Sequence, residues 1–353
     1  MGRAMFDELI ISDVRPEGAG AVAVSFAVPQ DLGGRFAFRP GQYLTLRAMV
    51  NGQDMRRSYS IAALPGGPLT VGIKRVEGGA FSTFAQGLRP GDRLQVMPPA
   101  GRFICRDEVR IVLIAAGSGI TPMVAIAADA LARGAEVSLI YGNRSRDTIM
   151  FRAVLGALKD RHVDRFTLIH VLSREVQDVP LLNGRVDADK LAQLAHRGVV
   201  DMAGADGVFL CGPGAMIDEV AARLPDLGVA AGRVHQERFF TADTGPRPAR
   251  SSAAEGGVAT GAEVALLLDG TTWHIRVEAT DATILEAAER QGIALPYSCR
   301  GGMCCTCRCR VSEGSVEMAT NYSLETWELQ AGFVLACQAR PTSARITLDF
   351  DAV

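Results

Sequence analysis

Four cysteines constrain this chain more than any other feature. Cys299, Cys304 and Cys307 stand as C-x4-C-x2-C in the stretch Cys-Arg-Gly-Gly-Met-Cys-Cys-Thr-Cys, and Cys337 follows downstream. This is the ligand spacing of a plant-type [2Fe–2S] loop with a distant fourth thiolate. Two irons sharing two sulfides need four thiolates in one small volume, three from a tight loop and one from a remote segment. Gly301 and Gly302 are expected to supply the curl, with φ values other residues resist and N–H groups aimed at sulfur. Zinc knuckles pair C-x2-C units, a different pattern, and a disulfide framework needs an oxidising compartment of which the sequence bears no sign. The predicted metal ligands are therefore Cys299, Cys304, Cys307 and Cys337. Cys305 and Cys309 do not fit the spacing and read as passengers, and Cys105 as a buried small hydrophobe.

At 353 residues the chain is too long for one core and suits two or three domains. No apolar run reaches the ~18 residues a membrane helix needs. Asp7 and Glu8 stand where a secretory signal would be apolar. A cytoplasmic protein without membrane contact is expected. Residues 261–353 carry 12 acids against 7 arginines and no lysine, a net of −5, while the other 260 residues carry 27 acids and 30 bases. An acidic tail suits docking onto a positive surface, though compositional scatter explains it equally. No basic patch or aromatic platform suggests nucleic acid, and His162, His170, His196 and His274 show no ligand spacing.

Residues 1–105 read as short strands punctuated by Pro40-Gly41, Gly66-Gly67-Pro68, Pro90-Gly91 and Pro98-Pro99-Ala100-Gly101. Runs such as Tyr43-Leu44-Thr45-Leu46 alternate faces, which predicts a closed antiparallel β-barrel. One helix over 82–88, with Ser82 as N-cap, interrupts it. From 106 to 240 apolar, β-branched runs at 111–115, 137–141, 167–171 and 208–210 alternate with helical stretches at 122–133, 147–160, 187–196 and 215–224. That alternation predicts an α/β domain with a parallel sheet covered on both faces. Residues 241–260 hold no large apolar residue beyond one valine and read as a linker that lets the last part swing. In 261–353, strands at 264–268 and 273–277 flank an Asp269-Gly270 hairpin turn, and a helix at 284–291 precedes the cysteine loop. An α+β ferredoxin domain of β-grasp type is expected there.

Further stretches carry chemistry. Arg57-Ser58-Tyr59-Ser60 joins an aromatic face to a guanidinium fork that matches phosphate oxygens. Gly78-Gly79-Ala80-Phe81-Ser82-Thr83 opens the predicted helix with glycines and hydroxyls, an anion cradle. Lys74 on the preceding strand adds positive charge there or is a solvated surface residue. Gly117-Ser118-Gly119-Ile120-Thr121-Pro122 lies between a strand and a helix and reads as a pyrophosphate turn. Gly117, Gly119, Thr121 and Pro122 are its expected cofactor-binding residues, with Pro122 in place of a third glycine, acceptable in a first helical turn. Where an NAD site places an acid for the ribose 2′-hydroxyl, this chain has Asn143-Arg144, and the next strand ends in Ser173-Arg174. Two arginines and no acid favour NADPH, with Asn143 and Arg144 at that place, and Ser173-Arg174 resembles the pair that grips the 2′-phosphate in plant-type reductases. Cys211-Gly212-Pro213 follows the last apolar run; alone, a buried thiol before a Gly-Pro turn reads equally well.

Arg57-x-Tyr59-Ser60 resembles the flavin motif of the ferredoxin–NADP reductase family, and the G-x-G-x-x-P form at 117–122 is similar to that family's turn. The resemblance implies FAD, with Tyr59 packed on the isoalloxazine, Arg57 and the Gly78–Thr83 cradle at the pyrophosphate, and Ser60 near flavin N5. It implies that Cys211, Gly212 and Pro213 sit beside the nicotinamide, and that Glu237 and Phe239 lie where a reductase chain ends near the flavin. Plant-type reductases carry a terminal Tyr there, whereas this chain continues. Ser60, Cys211 and Glu237 are the expected catalytic residues. The domain order resembles the reductase components of bacterial multicomponent oxygenases. Phe38-Arg39-Pro40-Gly41-Gln42, Tyr141-Gly142-Asn143-Arg144 and Met318-Ala319-Thr320-Asn321-Tyr322-Ser323-Leu324-Glu325 resemble in particular those that serve di-iron ring-1,2-phenylacetyl-CoA epoxidases of aerobic phenylacetate breakdown.

The implied route runs from NADPH to FAD to the cluster and on to an oxygenase partner, because a nicotinamide gives two electrons together, a cluster takes one, and flavin handles both. A reductase for another di-iron or Rieske-type oxygenase fits the same plan. A redox-responsive iron–sulfur binding module is the reading from another class, against which the hydride site speaks.

Overall fold

The computed structural model describes residues 5–239 and 261–352; the linker expected at 241–260 lies outside them. The chain divides into two compact units, a larger one of two sheets and a smaller one around the cysteine loop.

The larger unit begins with β1 (Asp7–Pro16), β2 (Ala21–Ala27), β3 (Tyr43–Val50), β4 (Gln53–Ser60), β5 (Leu69–Lys74), α1 (Ala80–Ala85) and β6 (Arg93–Val96). The six strands form one sheet in the order β4-β3-β6-β1-β2-β5. Ile61, just past β4, bridges antiparallel to Val71 of β5, so the edges of the curled sheet meet and the expected barrel is closed. Leu9 and Ile11, Val24 and Phe26, Leu44 and Leu46, and Val71 and Ile73 are buried at the strand period of two. The helix starts earlier than expected, and its N-cap is Gly79 rather than Ser82. The Ser82 hydroxyl instead accepts the Val76 N–H at 3.0 Å and donates to the Gly79 carbonyl at 3.1 Å, fastening the loop that leads into the helix.

Next come β7 (Arg110–Ala116), α2 (Ile120–Ala132), β8 (Glu136–Asn143), α3 (Arg152–Arg161), β9 (Phe166–Leu172), α4 (Ala188–His196), β10 (Gly207–Gly212), α5 (Gly214–Arg223) and β11 (Val234–Arg238). The five strands are parallel, in the order β11-β10-β7-β8-β9. The order reverses between β7 and β10, and ligands of such sheets bind at that switch, beyond the carboxyl ends of the strands. β11, a polar edge strand, carries no apolar signal in the sequence, and α3 begins five residues after the expected 147 because 146–148 form a separate turn capped by Ser145.

Eleven of the thirteen residues of α2 are buried. A helix apolar on all sides needs partners on all sides. Met123, Ile126, Ala127 and Ala130 share one core with Leu113 and Leu139 of the parallel sheet and with Ala21, Ala23, Ala62 and Phe103 of the barrel.

The smaller unit contains β12 (Glu263–Leu268), β13 (Thr271–Arg276), α6 (Ile284–Arg290), β14 (Arg308–Glu313), β15 (Val316–Met318), α7 (Thr326–Gln330), β16 (Phe333–Leu335), β17 (Ala339–Pro341) and β18 (Arg345–Asp349). Its main sheet runs β13-β12-β18-β14-β16, with β12 and β18 parallel and the other neighbours antiparallel. α6 contributes Ile284, Leu285, Ala287 and Ala288 to the core. Asp269 and Gly270 both take positive φ, 50° and 70°, the pair of values a two-residue hairpin turn requires. This is the β-grasp arrangement expected.

Gly41 is the tightest backbone approach in the larger unit. Its φ is +95°, and a Cβ there would lie 1.8 Å from the Phe103 carbonyl oxygen and 3.1 Å from Ile126 Cδ1. Gly41→Ala is expected to cost about 2–4 kcal/mol from strain and overpacking together. It should lower the melting temperature of the larger unit while leaving that of the smaller unit unchanged in calorimetry.

Candidate active site and cluster loop

At the switch of the parallel sheet, the turn after β7 presses on the end of β10. A Cβ on Gly119 would stand 2.0 Å from the Cys211 carbonyl oxygen and 3.0 Å from the Gly212 nitrogen, so only glycine fits. Gly117 takes φ +55°. Thr121 donates its hydroxyl to the Ser118 carbonyl at 2.9 Å, closing the first turn of α2, where Pro122 is buried. This leaves the backbone of 117–119 as the feature available to an anion.

The expected catalytic residues come together. Cys211 pairs in register with Glu237 on the neighbouring strand, and the Ser60 hydroxyl donates to Glu237 Oε2 at 3.3 Å. Burial, then the Glu237 charge, push the Cys211 thiol well above its ordinary pKa, so it stays a neutral thiol at physiological pH and is no nucleophile. Phe239 packs against the core to which Cys211 belongs.

The cationic residues divide. Arg144 and Arg174 are exposed and adjacent through the Arg174 N–H to Arg144 carbonyl bond at 2.8 Å. Ser173 reaches the Asn143 carbonyl from its N–H at 2.9 Å and its hydroxyl at 3.3 Å. The nearby acid Glu175 is taken by Arg146 at 3.0 Å. Lys74, expected near the flavin cradle, points instead at the nucleotide turn: its ammonium lies 3.7 Å from where a Cβ on Gly117 would stand. Burial, then the Arg144 charge, lower its pKa.

Around the flavin motif, Tyr59 lies with its ring 5.8 Å from that of Phe81. Phe81 is itself in the barrel core, 1% exposed, so it backs Tyr59 rather than meeting a ligand. Arg57 is exposed and donates to the Arg56 carbonyl at 2.7 Å; Ser58 is half-buried beside it. Gly78 takes φ +72° ahead of Gly79, and Thr83 is exposed on α1.

The four thiols of the cluster loop stand as two pairs. Cys299 is hydrogen-bonded with Cys304, and Cys307 with Cys337. In each pair one thiol holds the other down: Cys299 falls to about 7, chiefly through Cys304, and Cys337 falls through Cys307, while Cys304 and Cys307 rise. The Gly301 and Met303 N–H groups donate to Cys299 Sγ at 3.3 and 3.4 Å, and Gln338 Nε2 approaches Cys337 Sγ at 3.7 Å. Among the described residues no group of three or more His, Cys, Asp or Glu closes on a single ion. Two thiol pairs ringed by N–H donors fit a pair of irons, each taking one pair of thiolates.

Several loop details differ from expectation. Gly302 takes φ +74°, but Gly301 does not take a left-handed value; Arg300 and Cys305, both at φ 54°, supply the other bends. The residues missed are those that fasten the loop. Gln338 Nε2 donates to the Arg300 carbonyl at 2.9 Å, Thr320 donates to Gln338 Oε1 at 2.7 Å, and the Tyr322 N–H and Ser323 hydroxyl reach the Gly302 carbonyl at 3.0 and 3.1 Å. Cys305 bonds Ser323 at 3.0 Å, and Cys309 is a fully buried core residue. Cys105 is half-buried rather than buried because its thiol sits between Glu108 and Arg133, each 3.4 Å away, and it is pushed up to about 12. All eight cysteines are free of disulfides.

Comparison with known proteins accords with this geometry. Residues 19–104 match the oxidoreductase FAD-binding domain, 113–222 the oxidoreductase NAD-binding domain and 266–342 the 2Fe-2S iron-sulfur cluster binding domain. The chain is 44% identical to a subunit of the 1,2-phenylacetyl-CoA epoxidase of Escherichia coli K12, over 98% of both chains. The chain belongs to the iron–sulfur flavoprotein reductases of oxygenase systems. This reductase is also 35% identical to the ferredoxin reductase component of 3-ketosteroid-9-alpha-monooxygenase from Rhodococcus rhodochrous, over 97% of this chain and 96% of that one. In fold it matches phthalate dioxygenase reductase with a TM-score of 0.54 at 22% identity, covering 98% of both chains. No helix among the described residues is long and apolar enough to cross a membrane.

The Lys74 environment leads to an expected pH dependence of coenzyme binding. With its pKa lowered in the ligand-free site, Lys74 is neutral in the window just above that lowered value, and an arriving phosphate draws a proton onto it. Coenzyme affinity should therefore fall as pH rises through that window. Lys74→Arg, which keeps its charge, is expected to flatten this alkaline limb in a plot of log(1/KM) against pH; an unchanged limb rules Lys74 out as the titrating group.

Proposed function

We propose that the reductase carries electrons from NADPH through FAD to a [2Fe–2S] cluster held by Cys299, Cys304, Cys307 and Cys337. From there they pass to the di-iron oxygenase of a ring-1,2-phenylacetyl-CoA epoxidase. The full-length 44% identity to the epoxidase component carries the choice of partner. The 35% identity to the steroid monooxygenase component favours a second reading, a reductase for another oxygenase.

Flavin, when bound, supplies the exchange between paired and single electrons. The chain's own groups supply the setting. Ser60 is held by Glu237, which keeps its hydrogen turned to the carboxylate and its oxygen open as an acceptor. Cys211 presents a neutral, desolvated thiol beside them, and the 117–119 backbone with Lys74 receives the pyrophosphate. Arg144 and Arg174, exposed and adjacent, are the groups assigned to the 2′-phosphate that distinguishes NADPH from NADH, and the neighbouring acid Glu175 is paired with Arg146. A cluster held by reduced thiols suits the cytoplasm.

Replacing Arg144 and Arg174 together by alanine is expected to raise the KM for NADPH more than tenfold, the size of lost charge-assisted hydrogen bonds, and the KM for NADH far less. Equal effects defeat the coenzyme assignment. Cys337→Ala should abolish the visible iron–sulfide absorbance of the reconstituted protein while its flavin spectrum persists. For the partner, NADPH oxidation coupled to epoxidation of phenylacetyl-CoA is measured with the epoxidase's oxygenase components. Coupling to a Rieske-type oxygenase in preference to these overturns the assignment.

A further inference from the structure

We infer that Glu17, on the barrel, is a positioning residue for coenzyme binding, acting on the Gly117 turn through the backbone of 147–151 and the Tyr141 hydroxyl. The inference rests on the reading of 117–122 as the pyrophosphate turn. The loop between β1 and β2 is laid against the segment that leads into α3. Glu17 Oε2 accepts the Phe151 N–H at 2.9 Å, and the Ala19 N–H donates to the Asp147 carbonyl at 2.7 Å. Between them Gly18, at φ +73°, leaves no room for a side chain: a Cβ would lie 2.9 Å from the Asp147 oxygen and 3.0 Å from that of Ile149.

The same segment holds the nucleotide turn. The Met150 N–H donates to Tyr141 Oη at 3.3 Å, and Tyr141 Oη donates to the Gly117 carbonyl at 2.9 Å. Tyr141 is fully buried, so its hydroxyl has no water to fall back on. Phe151 takes the left-handed φ of 56° that turns its N–H out to the carboxylate, and its ring lies 3.1 Å from where a Cβ on Gly72 of β5 would stand; Thr121 Cγ2 lies 2.5 Å from the same point. The barrel thus reaches the phosphate turn along a continuous path: Glu17 to Phe151, Met150 to Tyr141, Tyr141 to Gly117. The bonds of Glu17 and Tyr141 lead to the Gly117 turn, so their removal should weaken binding rather than slow the chemistry.

The test uses the full chain with FAD bound. It measures steady-state ferricyanide reduction with NADPH and with NADH, together with the Kd of NADP+ by calorimetry. Glu17→Ala and Tyr141→Phe are each expected to raise both KM values and the Kd by about fivefold, the equivalent of one buried hydrogen bond. The factor should be the same for both coenzymes, since the pyrophosphate is common to them, and kcat should be unchanged. Glu17→Gln, whose amide oxygen still accepts the Phe151 N–H, should restore wild-type values. The double variant should fall short of the product of the single effects, because both substitutions break one path.

Unchanged KM and Kd, a loss confined to kcat or melting temperature, or fully multiplicative effects overturn the inference. Should Glu17→Ala fail to fold, Tyr141→Phe, which loses only the hydroxyl and keeps the ring, decides it alone: no rise in KM or Kd refutes the path. If neither coenzyme reduces the wild-type flavin, the pyrophosphate reading itself fails and this inference falls with it.

Discussion

The larger unit depends on one helix with almost no solvent face. α2 is apolar but for Thr121 and Asp129, with eleven of its thirteen residues buried, and a helix of that kind is stable in water only when surrounded. The parallel sheet covers part of it, and the alanines of β2 with Ala62 and Phe103 of the barrel cover the rest. From this follow the position of the 117–119 turn at its amino end, the contact of that turn with Cys211, and the approach of Lys74 and Ser60 from the barrel to groups carried by the sheet. The reaction site is assembled by the burial of a helix far more than by any bond between the residues that would do the work.

Much of this was legible in the sequence where residue type and spacing act locally. Cysteine spacing singled out the four thiols that the fold gathers, while their division into two pairs was not read from it. The alternation of apolar runs and helical stretches specified the parallel sheet. The Asp269-Gly270 turn could be read because two successive positive φ values admit few other residues. What escaped were features set by distant neighbours. β11 is polar apart from Val234 and exists because β10 offers it hydrogen-bonding partners. Ser82 looked like a helix cap, but the Val76 backbone competes for its oxygen. Lys74 was ambiguous from sequence because its side chain reaches an element that the chain enters only later.

The cluster loop shows the same division at smaller scale. Gly301 and Gly302 were expected to supply the curl, yet two of the left-handed positions are held by Arg300 and Cys305. Each such residue costs free energy that its surroundings must offset, and the surroundings do. Gln338 ties down the Arg300 carbonyl, while Ser323 ties Cys305 and Gly302. The fourth ligand and its neighbour therefore have separate tasks, Cys337 offering sulfur and Gln338 shaping the loop that offers the other three.

The shared core around α2 also bears on how such chains can be recombined. A cut placed between 105 and 106 would separate barrel from sheet in the sequence while stripping the cover from the almost wholly buried α2. The exchangeable module of this reductase is then the pair of sheets taken whole. Grafting a foreign flavin barrel onto this nucleotide half would succeed only if it brought the same small side chains to the seam.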